Sequence, residues 1–200
     1  MSTTAKKLIE NYNKLVDDTY NKKVTSDTLK NLFINANHAQ LPAYDFGTNT
    51  KVYLHLGWDK TNLFAIISDD KSGDSINTVS KVFISSDLKI EKDPITKKSA
   101  NVISKDEYEI RKKAWAAGKK TWIEDAIKKE NVVRHFIIDK QNISKTVINN
   151  LVLGLAKFTA EELDLLTKTV DNFNSIDRID LMTVNEAYMD YVAPCPPFKY

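Results

Sequence analysis

Few side chains in this sequence can bind a metal ion or move a proton near neutral pH. The chain has 3 histidines (His38, His55 and His135) and one cysteine, Cys195. Imidazole and carboxylate together suit iron or zinc, so His38, Asp45 and His55 form one candidate set of two histidines and a carboxylate. Their spacing matches no HExxH or related ligand pattern, and the sequence calls for no metal and no cofactor. His55 alternates with the apolar residues of its segment. His135 lies inside an apolar run and reads as a hydrogen-bonded core histidine. With Tyr53, the residues His38, Asp45 and His55 are also the candidates for an enzyme whose groups meet only in space. Asp69, Asp70 and Asp74 suggest calcium, but Lys71 stands where an EF-type loop needs an oxygen ligand, so a polar turn is the reading.

Cys195 lies between prolines. A thiolate nucleophile needs a base and an orienting partner, and none is near it in sequence. The segment 193–200 instead reads as a proline-rich tail. Pro194, Cys195, Pro196, Pro197, Phe198 and Tyr200 are its candidate protein-contact residues. Proline restricts the free chain, so less entropy is lost when such a segment docks.

The other tempting feature is basic. Arg111, Lys112, Lys113, Lys119 and Lys120 fall within ten residues that contain no acid. Trp115 lies among them and could stack on a base, so nucleic-acid contact is the alternative reading, through phosphate neutralisation. Against it, residues 104–130 hold eight cations and six anions, several at i,i+4 spacing such as Glu107–Arg111 and Glu109–Lys113. Tyr108, Trp115 and Trp122 recur every seven residues, which marks a core-facing stripe.

Composition narrows the classes further. The chain has 200 residues, 42% of them hydrophobic and 28% charged, which suits one ordinary globular domain over 1–200. One cysteine excludes an intrachain disulfide framework and any multi-cysteine zinc or iron–sulfur site. The net charge of +2 is too balanced for a dedicated nucleic-acid binder. It conceals an asymmetry: residues 101–150 carry 11 basic and 7 acidic side chains, and residues 151–200 carry 4 and 8. Lysine greatly outnumbers arginine, which disfavours a site built for bidentate anion recognition. GxGxxG, GxxxxGK[ST], GxSxG and CxxC are all absent, which argues against dinucleotide, P-loop and hydrolase chemistry. No apolar run reaches membrane-helix length, and none of signal-peptide type opens the chain, so the expected location is cytoplasmic with no membrane partner.

The elements that must position these residues follow from periodicity. Residues 4–21 read as an amphipathic helix with Leu8, Tyr12, Leu15, Val16 and Tyr20 on one face. Ser26 or Asp27 opens a second helix carrying Leu29, Leu32, Phe33 and Ala36, which Leu41-Pro42 ends or follows. The period then becomes two. Residues 52–58 and 62–68 form a hairpin about Asp59-Lys60-Thr61, and 76–85 is a third strand, making an antiparallel meander. Ser104 to Glu107 is a capping box that opens a long helix to about Glu130. Residues 132–139 are a strand. Ser144 is expected to start a buried helix containing Val147 to Phe158. Capping boxes at Thr159–Glu162 and Thr183–Glu186 are expected to open two more.

The expected fold is therefore α+β: an antiparallel meander plus one later strand, packed against several helices including one long helix. The favoured function is a non-catalytic interaction or assembly subunit. Its partner is another protein or a second copy, engaged partly through the C-terminal tail.

Overall fold

The computed structural model describes residues 2–43, 45, 47–48, 50–73, 79–86, 88, 90, 102–139, 143–157, 178–184, 188–190 and 193–195. Helix α1 spans Ser2–Tyr20. It buries Ala5, Ile9, Tyr12, Leu15 and Val16 along one face, as the helical period requires. Two hydroxyls tie it to a distant turn: Tyr12 donates to the Val133 carbonyl (2.8 Å), and Tyr20 accepts from the Val132 N–H (2.7 Å). Helix α2, Asp27–Ile34, buries Leu29, Leu32 and Phe33 and ends at Asn35. A strand not read from sequence follows it, β1 at His38–Leu41.

Strands β2 (Lys51–Trp58), β3 (Leu63–Ser68) and β4 (Val79–Val82) form the expected antiparallel meander. The β2–β3 turn is held by the Asp59 carboxylate, which accepts from the N–H groups of Thr61 (2.8 Å) and Asn62 (2.7 Å). Helix α3 spans Lys105–Lys128, and the Ser104 hydroxyl accepts from the Glu107 N–H at 3.1 Å, as the capping box requires. Its stripe of Tyr108, Trp115 and Trp122 is buried. Trp115 is 1% exposed and its indole N–H donates to the Ala36 carbonyl, so it is a core residue with no face for a nucleic-acid base.

Strand β5, His135–Asp139, is the expected later strand and pairs with β2. The next segment departs from the sequence reading. Residues Asn149–Ala156 are strand β6, not a buried helix. Ser144 does make cap-like bonds, accepting from the N–H groups of Thr146 and Val147 (both 3.2 Å). The turn goes no further, because the Asn149 side chain closes back on the Ser144 backbone at both N–H and carbonyl. The apolar run that suggested a helix has another cause. Leu151, Leu153 and Leu155 enter the main core, while Val152 joins a second cluster with Tyr108, Met182 and Val184. A strand covered on both faces loses its period-two pattern.

Strand β7, Arg178–Val184, pairs with β6 over seven residues and then with β8, Tyr188–Asp190. This corrects the capping box at Thr183–Glu186. Thr183 lies opposite Leu151 and Met189 inside the sheet, and a seven-residue ladder outweighs a marginal short helix. The expected helix from Thr159 lies outside the described residues, as does Asp74. Strand β9, Ala193–Cys195, pairs with β5.

Two antiparallel sheets result, ordered β1-β6-β7-β8 and β4-β3-β2-β5-β9. They meet where His38 and Ile84 exchange backbone hydrogen bonds (2.8 and 3.3 Å). The main apolar cluster draws on α1, α2, α3 and both sheets, with Leu54, Leu56 and Phe136 from one and Leu153 and Leu181 from the other. Helix α3 lies against β6, where Gly118 lets it approach Leu155: an added Cβ would stand 3.0 Å from Leu155 Cδ1. The fold is thus α+β, with a long helix and a meander.

Candidate functional site

Alternation in β2 and β5 sends Leu54, Leu56, Phe136 and Ile138 into the core. The opposite face therefore takes Tyr53, His55, His135 and Ile137. Pairing register then decides which of these meet. His55 stands directly opposite His135, and Tyr53 opposite Ile137. The two imidazole centroids are 5.8 Å apart with planes inclined at 37°. The Tyr53 ring lies 6.3 Å from His55 and 6.4 Å from His135, which completes a cluster of three rings.

His55 is 4% exposed, so it lies in a second layer and does not face solvent. Its Nε2 is 3.1 Å from Ser68 Oγ and 3.3 Å from the Asp70 carbonyl oxygen. The Ser68 hydroxyl donates to that same carbonyl at 2.7 Å. Ser68 has then spent its only proton, so Nε2 must be the donor and Nδ1 keeps its lone pair. Burial holds the His55 pKa below the ordinary imidazole value, against the pull of Asp70. His135 is half-buried, and its Nε2 is a buried atom with no hydrogen-bond partner. The sequence reading of His135 as a hydrogen-bonded core histidine is corrected on both counts. Burial, with the nearby charges of His55 and Lys71, lowers its pKa to about 4. Both rings are therefore neutral at pH 7.

The set expected from sequence does not converge. His38 belongs to the other sheet, where its Nδ1 lies 2.9 Å from the Ser86 carbonyl oxygen. Asp45 accepts from the Gly47 N–H (3.0 Å) and pairs with Lys145. Of the enzyme candidates, only Tyr53 and His55 come together. Their actual partner, His135, carries one sign in the sequence: each histidine alternates with the core residues of its strand, Leu54 and Leu56 in β2 and Phe136 and Ile138 in β5. Among the described residues, no group of three His, Cys, Asp or Glu side chains could hold a metal ion.

The tail enters this region through β9. Cys195 stands opposite His135, Pro194 opposite Phe136 and Ala193 opposite Ile137. Proline is tolerated there because β9 ends the strand order, where a missing ladder donor costs least. Pro196, Pro197, Phe198 and Tyr200 lie outside the described residues.

The five basic candidates of α3 divide into two groups. Arg111 turns to its own chain: Nη1 meets the Asp180 carboxylate at 2.5 Å, and Nε meets Glu107 at 2.6 Å. Lys119 donates to Asn37 Oδ1 at 2.9 Å. Lys112 lies over the Tyr108 ring, 5.8 Å from its centroid, with Glu109 at 3.8 Å. Lys113 and Lys120 are exposed. None of the described helices is long and apolar enough to cross a membrane. Comparison of the chain with protein-family models, with curated proteins and with solved structures gave no match.

Proposed function

We propose that this protein is a non-catalytic interaction or assembly subunit of the cytoplasm that engages other protein chains, a second copy first among them, through its C-terminal tail. The supporting observation is β9. The last described residues form a three-residue strand at the end of the five-stranded sheet, directly before the segment Pro196 to Tyr200. A short terminal edge strand is held by few hydrogen bonds, and a matching strand from another chain can extend or replace it. The aromatic and proline residues that follow supply large contact area at low entropic cost.

Light scattering on the full chain and on a variant lacking residues 193–200 tests this reading. The full chain should show a mass above the 22.8 kDa of one copy, rising with concentration, and the truncated chain should return towards it. Equal masses for the two proteins would overturn it. Nucleic-acid contact through α3 is the alternative, with Lys113 and Lys120 as its outward cations. It requires low-salt binding that Lys113→Glu with Lys120→Glu abolishes.

A further inference from the structure

We propose that the cavity between α2 and the β2–β3 turn binds a small organic anion, with a carboxylate or phosphate head on a compact apolar body. The cavity holds about 350 Å³, at the small end of the range for ligand pockets. Asn31 of α2, Trp58 at the end of β2, and Lys60 and Thr61 of the turn line it, together with Leu63 and Phe83. Contacts within the chain hold these walls in place. The Asp59 carboxylate pins the turn through the N–H groups of Thr61 and Asn62, and the Phe83 N–H donates to the Leu63 carbonyl at 2.8 Å. Leu63 and Phe83 are buried and supply the apolar part of the lining.

The polar lining sets the charge of the ligand. Lys60 is exposed and has no ion-pair partner among the described residues. No acidic side chain stands among the described residues that line the cavity, and the nearby Asp59 carboxylate is taken up by its own turn. Lys60 and the Trp58 indole can only donate hydrogen bonds, and the Asn31 amide and Thr61 hydroxyl can donate as well. An excess of donors around one cation suits an acceptor-rich anion and disfavours a cationic ligand. A single lysine acts as a point charge, which a carboxylate or a phosphate meets equally well without a guanidinium fork. Trp58 adds a second sign. Its Nε1 is buried with no hydrogen-bond partner, a cost that an acceptor in the cavity removes. The Trp115 indole, by contrast, is locked to the Ala36 carbonyl. No hydrogen bond fastens the Trp58 ring in this way, so a small tilt lets its N–H meet the anion.

The site needs neither the tail nor a partner chain, so its test is separate from that of assembly. The full chain is titrated with phenyl phosphate and with benzoate, and binding is read by NMR at the indole N–H signals, with that of Trp58 assigned through Trp58→Phe. The Trp58 signal should move saturably with one anion or both, with a Kd of about 1 mM or below, while the buried Trp115 signal stays in place. The tighter of the two probes names the head group. Phenyl glucoside, a neutral ligand with the same ring, should bind about tenfold more weakly or not at all. Lys60 has a φ of 86°, which glycine adopts without strain, so Lys60→Gly removes the cation and leaves the turn intact. That variant should keep the urea midpoint and weaken the tighter anion by about tenfold or more. No saturable shift of Trp58 with either anion, equal binding of the glucoside, or an affinity unchanged by Lys60→Gly overturns the proposal.

Discussion

Replacing Arg111 with methionine takes a guanidinium away from a carboxylate that water cannot reach. Asp180 is 0% exposed and its Oδ2 lies 2.5 Å from Arg111 Nη1, while the Arg111 side chain is 13% exposed. Neither charge can recover its hydration while the sheet and α3 stay together. Removing one member of such a pair leaves a buried charge without its partner and costs about 3–5 kcal/mol. For a domain of this size that corresponds to a fall in Tm of roughly 6–20 °C. The companion contact is different in kind. Glu107 is 43% exposed, so Glu107→Gln should cost about 1 kcal/mol or less. Urea denaturation of the wild type, Arg111→Met, Asp180→Asn and the double variant forms a double-mutant cycle. The double variant should be more stable than the sum of the single losses implies, by about 2 kcal/mol or more, because neutralising Asp180 removes the stranded charge. A loss below about 1 kcal/mol for Arg111→Met, or strict additivity, would refute the reasoning. The result also bears on nucleic-acid binding, since an Arg111 variant reports on the fold, whereas Lys113 and Lys120 are exposed.

Two further predictions rest on the same face of the five-stranded sheet. His135 titrates at about 4 when folded and near 6.5 when unfolded, and His55 is shifted in the same direction. The unfolded chain therefore binds more protons between those values. Stability is complete above about pH 6.5 and is lost as pH falls through about 4, with a limiting slope of about 1.4 kcal/mol per pH unit for each histidine. His135 is partly exposed, so solvent screening reduces its share to about 1–2 kcal/mol. The urea midpoint of the wild type should drop between about pH 7.5 and pH 5, and His135→Gln should drop less; equal declines would sink this account. Gly57→Ala places a methyl against Ile66 Cδ1 and 3.0 Å from Leu8 Cβ, where α1 crosses β2. It should cost about 1–3 kcal/mol, and Ile66→Val, which removes that Cδ1, should restore part of the loss. An unchanged midpoint for Gly57→Ala would show that α1 yields more freely than its contacts imply.

The parts of the fold that were legible in sequence are those set by neighbours along the chain. The Ser104 cap, the aromatic stripe of α3, the amphipathic α1 and the Asp59 turn each rest on contacts within a few residues. Their signature is local, so one sequence carries it. The β2–β3 hairpin was legible for the same reason, since a short turn joins its strands and Val52, Leu54 and Leu56 alternate in sequence with Lys51, Tyr53 and His55.

Tertiary structure alone decided the rest. Strand β6 resembled a helix because Leu151 to Leu155 are buried on both sides, by the main core and by the α3 cluster, and burial on both sides erases the period that distinguishes the two elements. Thr183 to Glu186 has a helix-start pattern, yet the ladder to β6 overrides it. The meeting of His55 with His135, and of both with the register position of Cys195, depends on strands far apart in the chain choosing one alignment among many. A shift by a single residue would send His135 to the other face of the sheet. No local preference contains that choice. Burying Leu54, Leu56, Phe136 and Ile138 together puts both histidines on the opposite face, and the register that β2 and β5 adopt sets them directly opposite one another.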